Sequence, residues 1–339
     1  MTRKLHVISS SRSGGLCRLF AGLLHVLLNN QSTTVYQVML SEVIMAAIAE
    51  RLTAFHEWAE STSDPRTKDL PFISSPLLSY GLVLLYLLFV WQGPKFMAKR
   101  KPFDLRWFMT PYNGVLVAWN GYIFYEFLMT TFMNSGFSLV CQPVDYSQEQ
   151  TATRLAWACY LFFLSKLVEL LDTVVFILRK KTGQVSFLHV YHHATMPMLW
   201  FIGVRWIPGG ESYFSATLNS FIHVAMYMYY LLAAVGPRLH PYLWWKRYLT
   251  TLQLIQFLAI IVHTSVAIYV SCGFPNEYSA ALILYGISHI LLFGNFYNET
   301  YVDEKKKRGR RSEVPAAARP EQTRYNLRRR STQPGTYAQ

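Results

Sequence analysis

Apolar residues along this chain gather into seven long stretches, near residues 76–93, 112–134, 155–178, 187–207, 212–235, 249–271 and 278–298, with short polar segments between them. A helix needs about 20 residues to cross the ~30 Å hydrocarbon of a bilayer, and each stretch comes close to that. The pattern therefore predicts seven transmembrane helices. Inside several of them polar residues recur at three- and four-residue steps, which places them on one helical face. Lipid offers such groups no water, so those faces turn inward. The expected fold is an all-α polytopic membrane protein. Its predicted parts are an N-terminal extension and lead-in over 1–70, a seven-helix domain over 71–300 and a basic tail over 301–339.

Composition agrees. Of 339 residues, 52% are hydrophobic and only 15% charged, which argues against a soluble enzyme. The net charge of +13 is unevenly spread. Lys95, Lys99, Arg100, Lys101 and Arg106 follow the first stretch, Arg179, Lys180 and Lys181 the third, and Arg238, Lys246 and Arg247 the fifth. The alternate loops are poor in basic residues. By the positive-inside rule the basic loops are cytosolic, giving a lumenal N-terminus and a cytosolic C-terminus. Residues 303–330 hold eleven Lys/Arg against four Asp/Glu, the composition of a solvated, disordered segment that anionic lipid would attract. No stacking aromatics accompany this charge, so nucleic acid is not the expected partner. Cys141 and Cys272 both fall in loops assigned to the oxidising lumenal side, and a bridge between them is expected. The apolar run at 16–28 resembles a signal h-region without a clear cleavage site. An upstream extension ahead of a start at Met45 fits it equally well.

The chemistry lies in four polar stripes. The third stretch carries Lys166, Glu169 and Thr173 on one face, with Asp172 beside them. The fourth opens with His189, His192 and His193 at i, i+3 and i+4, just after Gln184. The fifth carries Asn219, His223, Met226, Tyr227 and Tyr230, and the sixth Gln253 and Gln256. Taken singly, an ion pair or a tyrosine row is more often packing than chemistry. Together, the predicted depths put all four in the cytosolic half of the bundle. Ionisable groups inside a membrane are costly and by default functional. Pro197 removes the amide that would bond the His193 carbonyl, predicting a kink there.

Clustered imidazoles serve two chemistries. One is metal binding, as in a lipid oxidase or hydroxylase, but the ligand count is short even with His223 and His289 in reach. The other is nucleophilic and acid–base catalysis on an activated acyl group. A seven-helix receptor or transporter fits the helix count and leaves the histidines unexplained.

The ordered motifs decide among these. K-x-x-E-x-x-D-T over 166–173, Q-x-x-F-L-H-x-Y-H-H over 184–193, N-x-x-x-H-x-x-M-Y-x-Y-Y over 219–230 and T-x-x-Q-x-x-Q-F over 250–257 together resemble the very-long-chain fatty acid elongases, the membrane 3-oxoacyl-CoA synthases. That resemblance implies a seven-helix enzyme of the endoplasmic reticulum that condenses a long-chain acyl-CoA with malonyl-CoA. It implies an apolar tunnel for the acyl chain, no metal or other cofactor, and homo-oligomers or oligomers with other elongation enzymes. His192 would accept the acyl group and His223 would handle the malonyl unit. His189, His193 and Asn219 would assist, and Lys166, Glu169, Asp172, Thr173, Gln184, Tyr227, Tyr230 and Gln253 would position. Arg179, Lys180, Lys181, Lys246 and Arg247 at the cytosolic mouth are natural contacts for the CoA phosphates.

Overall fold

The computed structural model describes residues 33–303, and every regular element among them is helical. The chain divides into two units at Thr62/Ser63. In the first, α1 (Thr33–Thr62) is a single long helix. In the second, α2 (Pro76–Met97), α3 (Arg106–Met133), α4 (Gln150–Val168), α5 (Leu170–Leu178), α6 (Phe187–Trp206), α7 (Ser212–Val235), α8 (Lys246–Tyr269) and α9 (Asn276–Tyr297) follow the predicted stretches closely. Expectations for residues 1–32 and 304–339 lie outside the described residues.

Local chemistry sets the helix ends. Ser75 caps α2, its hydroxyl accepting from the Leu78 amide at 3.4 Å, with Pro76 at the first helical position, where a missing amide costs nothing. Ser186 caps α6 the same way, accepting from the His189 amide at 3.2 Å. Gly236 ends α7 at φ 140°, a conformation that a side chain would oppose. One predicted helix is divided: the third stretch breaks at Glu169 into α4 and α5. There the Asp172 amide bonds the Glu169 carbonyl at 3.1 Å, a tightened turn. Helix α6 runs through Pro197.

Helix contacts run α3–α7–α8–α9–α6–α4 and back to α3, closing a ring, while α2 packs on α5 and α6. Residues 63–75, ahead of α2, belong to this second unit. The Asp64 amide donates to the Arg205 carbonyl at 2.8 Å, the Thr67 hydroxyl to the Val204 carbonyl at 2.6 Å, and Ile73 is fully buried.

The surface is inverted relative to a soluble protein. Leu77, Leu84, Trp91, Ile255, Leu258 and Leu291 are exposed, while Lys166, Glu169 and His223 are buried. Helices α2, α7 and α8, and the segment Asn276–Val302 that contains α9, are long and apolar enough to cross a membrane. Helices α3 and α4–α5 hold Asn113, Asn120, Glu126, Lys166, Glu169 and Asp172 buried, and such groups lower a helix's apolarity.

Candidate active site

The polar stripes of α4, α5, α6 and α7 come together. The Lys166 ammonium lies 2.9 Å and 3.2 Å from the two Glu169 oxygens, and Oε1 of Glu169 lies 3.1 Å from Nδ1 of His223. The carboxylate can only accept, and it takes a hydrogen bond from Lys166. Nδ1 of His223 also lies 3.2 Å from the Lys166 ammonium: donating to Glu169 it leaves Nε2 a free lone pair, and accepting from Lys166 it leaves the hydrogen on Nε2. Lys166 also sits 4.5 Å from the centre of the Phe162 ring, which favours its charge further. Glu169 is 1% exposed and Lys166 2%. An ion pair this deep persists only when its partners are fully engaged.

Asp172 is held separately. Tyr112 of α3 donates to its Oδ1 and Tyr227 of α7 to its Oδ2, both at 2.8 Å. Tyr230 stacks edgewise on Tyr227, ring centres 6.2 Å apart. Thr173, one residue on, meets Nε2 of His189 at 2.8 Å and the Tyr86 hydroxyl of α2 at 3.1 Å. His189 is thereby fixed from two helices.

His192 is placed differently. Its ring centre lies 5.3 Å from that of His193, 5.6 Å from His289 and 6.4 Å from His223. Its side chain has no hydrogen-bond partner among the described residues, and it keeps accessible surface where His193 and His223 are buried. Asn219 Oδ1 and Gln256 Oε1 are buried acceptors without partners among the described residues. An unbonded imidazole ringed by other imidazoles suits attack on a carbonyl that enters from outside. Gln253 is half-buried in the same turn of α8 as Gln256. Gln184 is not with the cluster: it lies exposed in the 3-10 turn Thr182–Gln184.

The basic end carries a cavity of about 470 Å³ lined by Pro102, Phe103, Asp104, Arg106, Arg179, Lys180 and Lys181. Three of the five anticipated phosphate contacts thus share one cavity. The Arg179 guanidinium also rests on the Met109 sulfur at 2.7 Å. Lys246 and Arg247 stand exposed on the first turn of α8 and do not line it.

At the other end Cys141 and Cys272 are joined in a disulfide, Cα atoms 5.0 Å apart. Beside it Glu211 is buried, accepting from the Gln142 amide at 3.2 Å. The His263 Nε2–H donates to the Leu139 carbonyl at 2.8 Å, and its Nδ1 lies 3.1 Å from Glu211 Oε1. With Nε2 holding its hydrogen, that last contact needs a further proton. Burial supplies the means, pushing Glu211 up to about 7.

Sequence reasoning missed Tyr86 and Tyr112, which are single tyrosines on remote helices with no spacing to mark them. His289 was noticed only as being in reach.

Residues 71–309 match the family described as ELO: GNS1/SUR4. The chain is 52% identical over 252 residues to "Very long chain fatty acid elongase 4" of Homo sapiens, covering 74% of this chain and 80% of that one. It is 51% identical over 254 residues to the Mus musculus protein of the same name, covering 75% and 81%. Against "Very long chain fatty acid elongase 1" of Homo sapiens it is 47% identical over 247 residues, covering 72% and 88%.

Proposed function

The chain belongs to the ELO (GNS1/SUR4) family, and from that membership we propose that it condenses a long-chain fatty acyl-CoA with malonyl-CoA to a 3-oxoacyl-CoA two carbons longer. It is a multi-pass membrane protein, read here as crossing the endoplasmic reticulum membrane seven times with its basic loops cytosolic. The relatives named for very-long-chain fatty acid elongation support the overall reaction.

The observation that carries the chemistry is the His192 ring, unbonded and surrounded by three other imidazoles. A His192 nitrogen attacks the thioester carbonyl, the C–S bond breaks, and CoA leaves with the proton that the imidazole sheds. The product of this half is an acyl-imidazole. Malonyl-CoA then loses CO2, and the electron pair left on its C2 attacks the acyl carbon. The C–N bond breaks, His192 takes a proton from solvent in place of the one that left with CoA, and 3-oxoacyl-CoA departs. His223, held at Nδ1 by Glu169, faces the malonyl half with Nε2. The ring of helices takes the acyl tail between them and keeps water from the enolate. Arg179, Lys180 and Lys181 receive the CoA phosphates in the cavity at the basic end.

The test is mass analysis of purified protein incubated with a long-chain acyl-CoA alone, followed by peptide mapping. An acyl adduct on His192 that malonyl-CoA discharges to the longer 3-oxo product is expected. His192→Ala should lose both adduct and product. Full turnover in that variant would falsify the assigned nucleophile.

A further inference from the structure

Helix α9 is apolar along most of its length, yet His289 is fully buried on it. Its Nδ1 lies 2.9 Å from the Tyr285 carbonyl one turn earlier. A carbonyl oxygen only accepts, so Nδ1 carries the hydrogen. The same carbonyl accepts from the Ser288 hydroxyl at 2.7 Å. Ser288 is itself 3.1 Å from the Tyr191 hydroxyl of α6, and Thr195 of α6 meets the Tyr285 hydroxyl at 2.9 Å. Two polar ties between α6 and α9 therefore hold the His289 ring in place and fix its tautomer.

The consequence is at the other nitrogen. Nε2 of the neutral ring is a bare lone pair, buried and without a hydrogen-bond partner among the described residues. A buried unpaired acceptor costs free energy that an apolar residue would not. The ring is flanked by Tyr285 at 4.2 Å, Phe257 at 5.0 Å, Phe293 at 6.4 Å, Tyr191 at 5.4 Å and His192 at 5.6 Å, centre to centre, and the Tyr285 hydroxyl is engaged by Thr195. Tyr191 already has a partner in Ser288. His192 has none, and it is the neighbour whose N–H becomes acidic when the ring is acylated. His223, whose Nδ1 is engaged by Glu169 and Lys166, stands farther from His192 at 6.4 Å.

We propose that Nε2 of His289 is the base that takes the proton from His192 during acylation. This rests on the acyl-imidazole reading above. As the His192 nitrogen bonds the thioester carbon, the C–S bond breaks and its electron pair leaves on the CoA sulfur. The N–H on the opposite His192 nitrogen passes to His289. The departing thiolate then takes that proton, leaving neutral acyl-imidazole, free CoA thiol and neutral His289. The two half-reactions thus use different neighbours of His192, with His289 the base of acylation and His223 at the malonyl half, where loss of CO2 supplies the electron pair and no base is needed.

Full-length His289→Phe and His289→Gln proteins test this by separating the halves. Adduct formation on His192 from acyl-CoA alone is timed first. Adduct accumulated over a long incubation is then challenged with malonyl-CoA. His289→Phe should slow adduct formation by about 10²–10⁴-fold while discharge keeps the wild-type rate. His289→Gln should restore thermal stability but not the acylation rate, since an amide bonds without taking a proton. Wild-type acylation in either variant overturns the inference. So does an equal fall in both halves that tracks lost thermal stability, which would make His289 a packing residue. A wild-type protein that forms product without any adduct sinks the acyl-imidazole reading and this inference with it, an outcome distinct from a variant that acylates normally.

Discussion

Glu169 joins two kinds of work: one oxygen meets both the Lys166 ammonium and the His223 imidazole. Glu169→Gln would leave Lys166 buried without its counter-charge. Breaking a buried pair in this way costs about 3–5 kcal/mol, so the variant should unfold at lower temperature in detergent and lose condensation as His223 loses its hold. Asp172 offers a gentler test. Tyr112→Phe and Tyr227→Phe each remove one donor to the same carboxylate, at about 1.5–3 kcal/mol. Because they share that acceptor, the double variant should depart from the sum of the two, read from thermal unfolding of all three. The histidines and Glu169 were legible because they repeat at helical spacing within single stretches. Tyr86 and Tyr112 were not, since 22 tyrosines dot this chain and only packing selects these two.

Between elements, the closest test is the approach of α2 to α5. A Cβ placed on Gly93 would stand 2.9 Å from Cγ2 of Ile177, a side chain buried to 1% exposure with no room to yield. Gly93→Ala should therefore push α2 off α5 and destabilise by about 1–3 kcal/mol, measured as a lowered unfolding midpoint. Activity should fall with it, because Tyr86 on α2 reaches His189 through Thr173. The division of the third stretch at Glu169 also belongs to this scale. Its hydrophobic pattern reads as one helix, since periodicity records which face is apolar and not where a carbonyl changes partner.

For the molecule as a whole, the polar cluster at the imidazoles is matched by a second at the disulfide end. The bridge spans 131 residues of chain, and Cys141→Ser with Cys272→Ser should cost about 2–4 kcal/mol, seen as a fall in unfolding temperature that a reducing agent reproduces in the wild type. Glu211 adds a pH dependence. Its folded-state value of about 7 stands above the ordinary 4.5, so between those pH values the folded protein holds more proton than the unfolded chain. Stability contributed by this group therefore falls as pH rises from about 4.5 to 7. Glu211→Gln should flatten that part of a thermal-stability profile. Gly210, at φ 56° and with its Cα face close against the Val144 amide, brings the Glu211 loop to the strap that carries Cys141.

What the sequence determined by itself was where the helices lie and which faces of them are polar. Burial in lipid rewards apolar length and penalises every charge, so both leave a periodic trace. The fold also put the expected disulfide partners 5.0 Å apart, a distance no spacing along the chain could specify. Tertiary structure alone decided which polar groups meet. It set Glu169 between Lys166 and His223, gave Asp172 two tyrosines from different helices, and left Nε2 of His289 open beside His192. Those choices depend on helix order around the ring and on rotation about each axis, and a linear pattern carries neither.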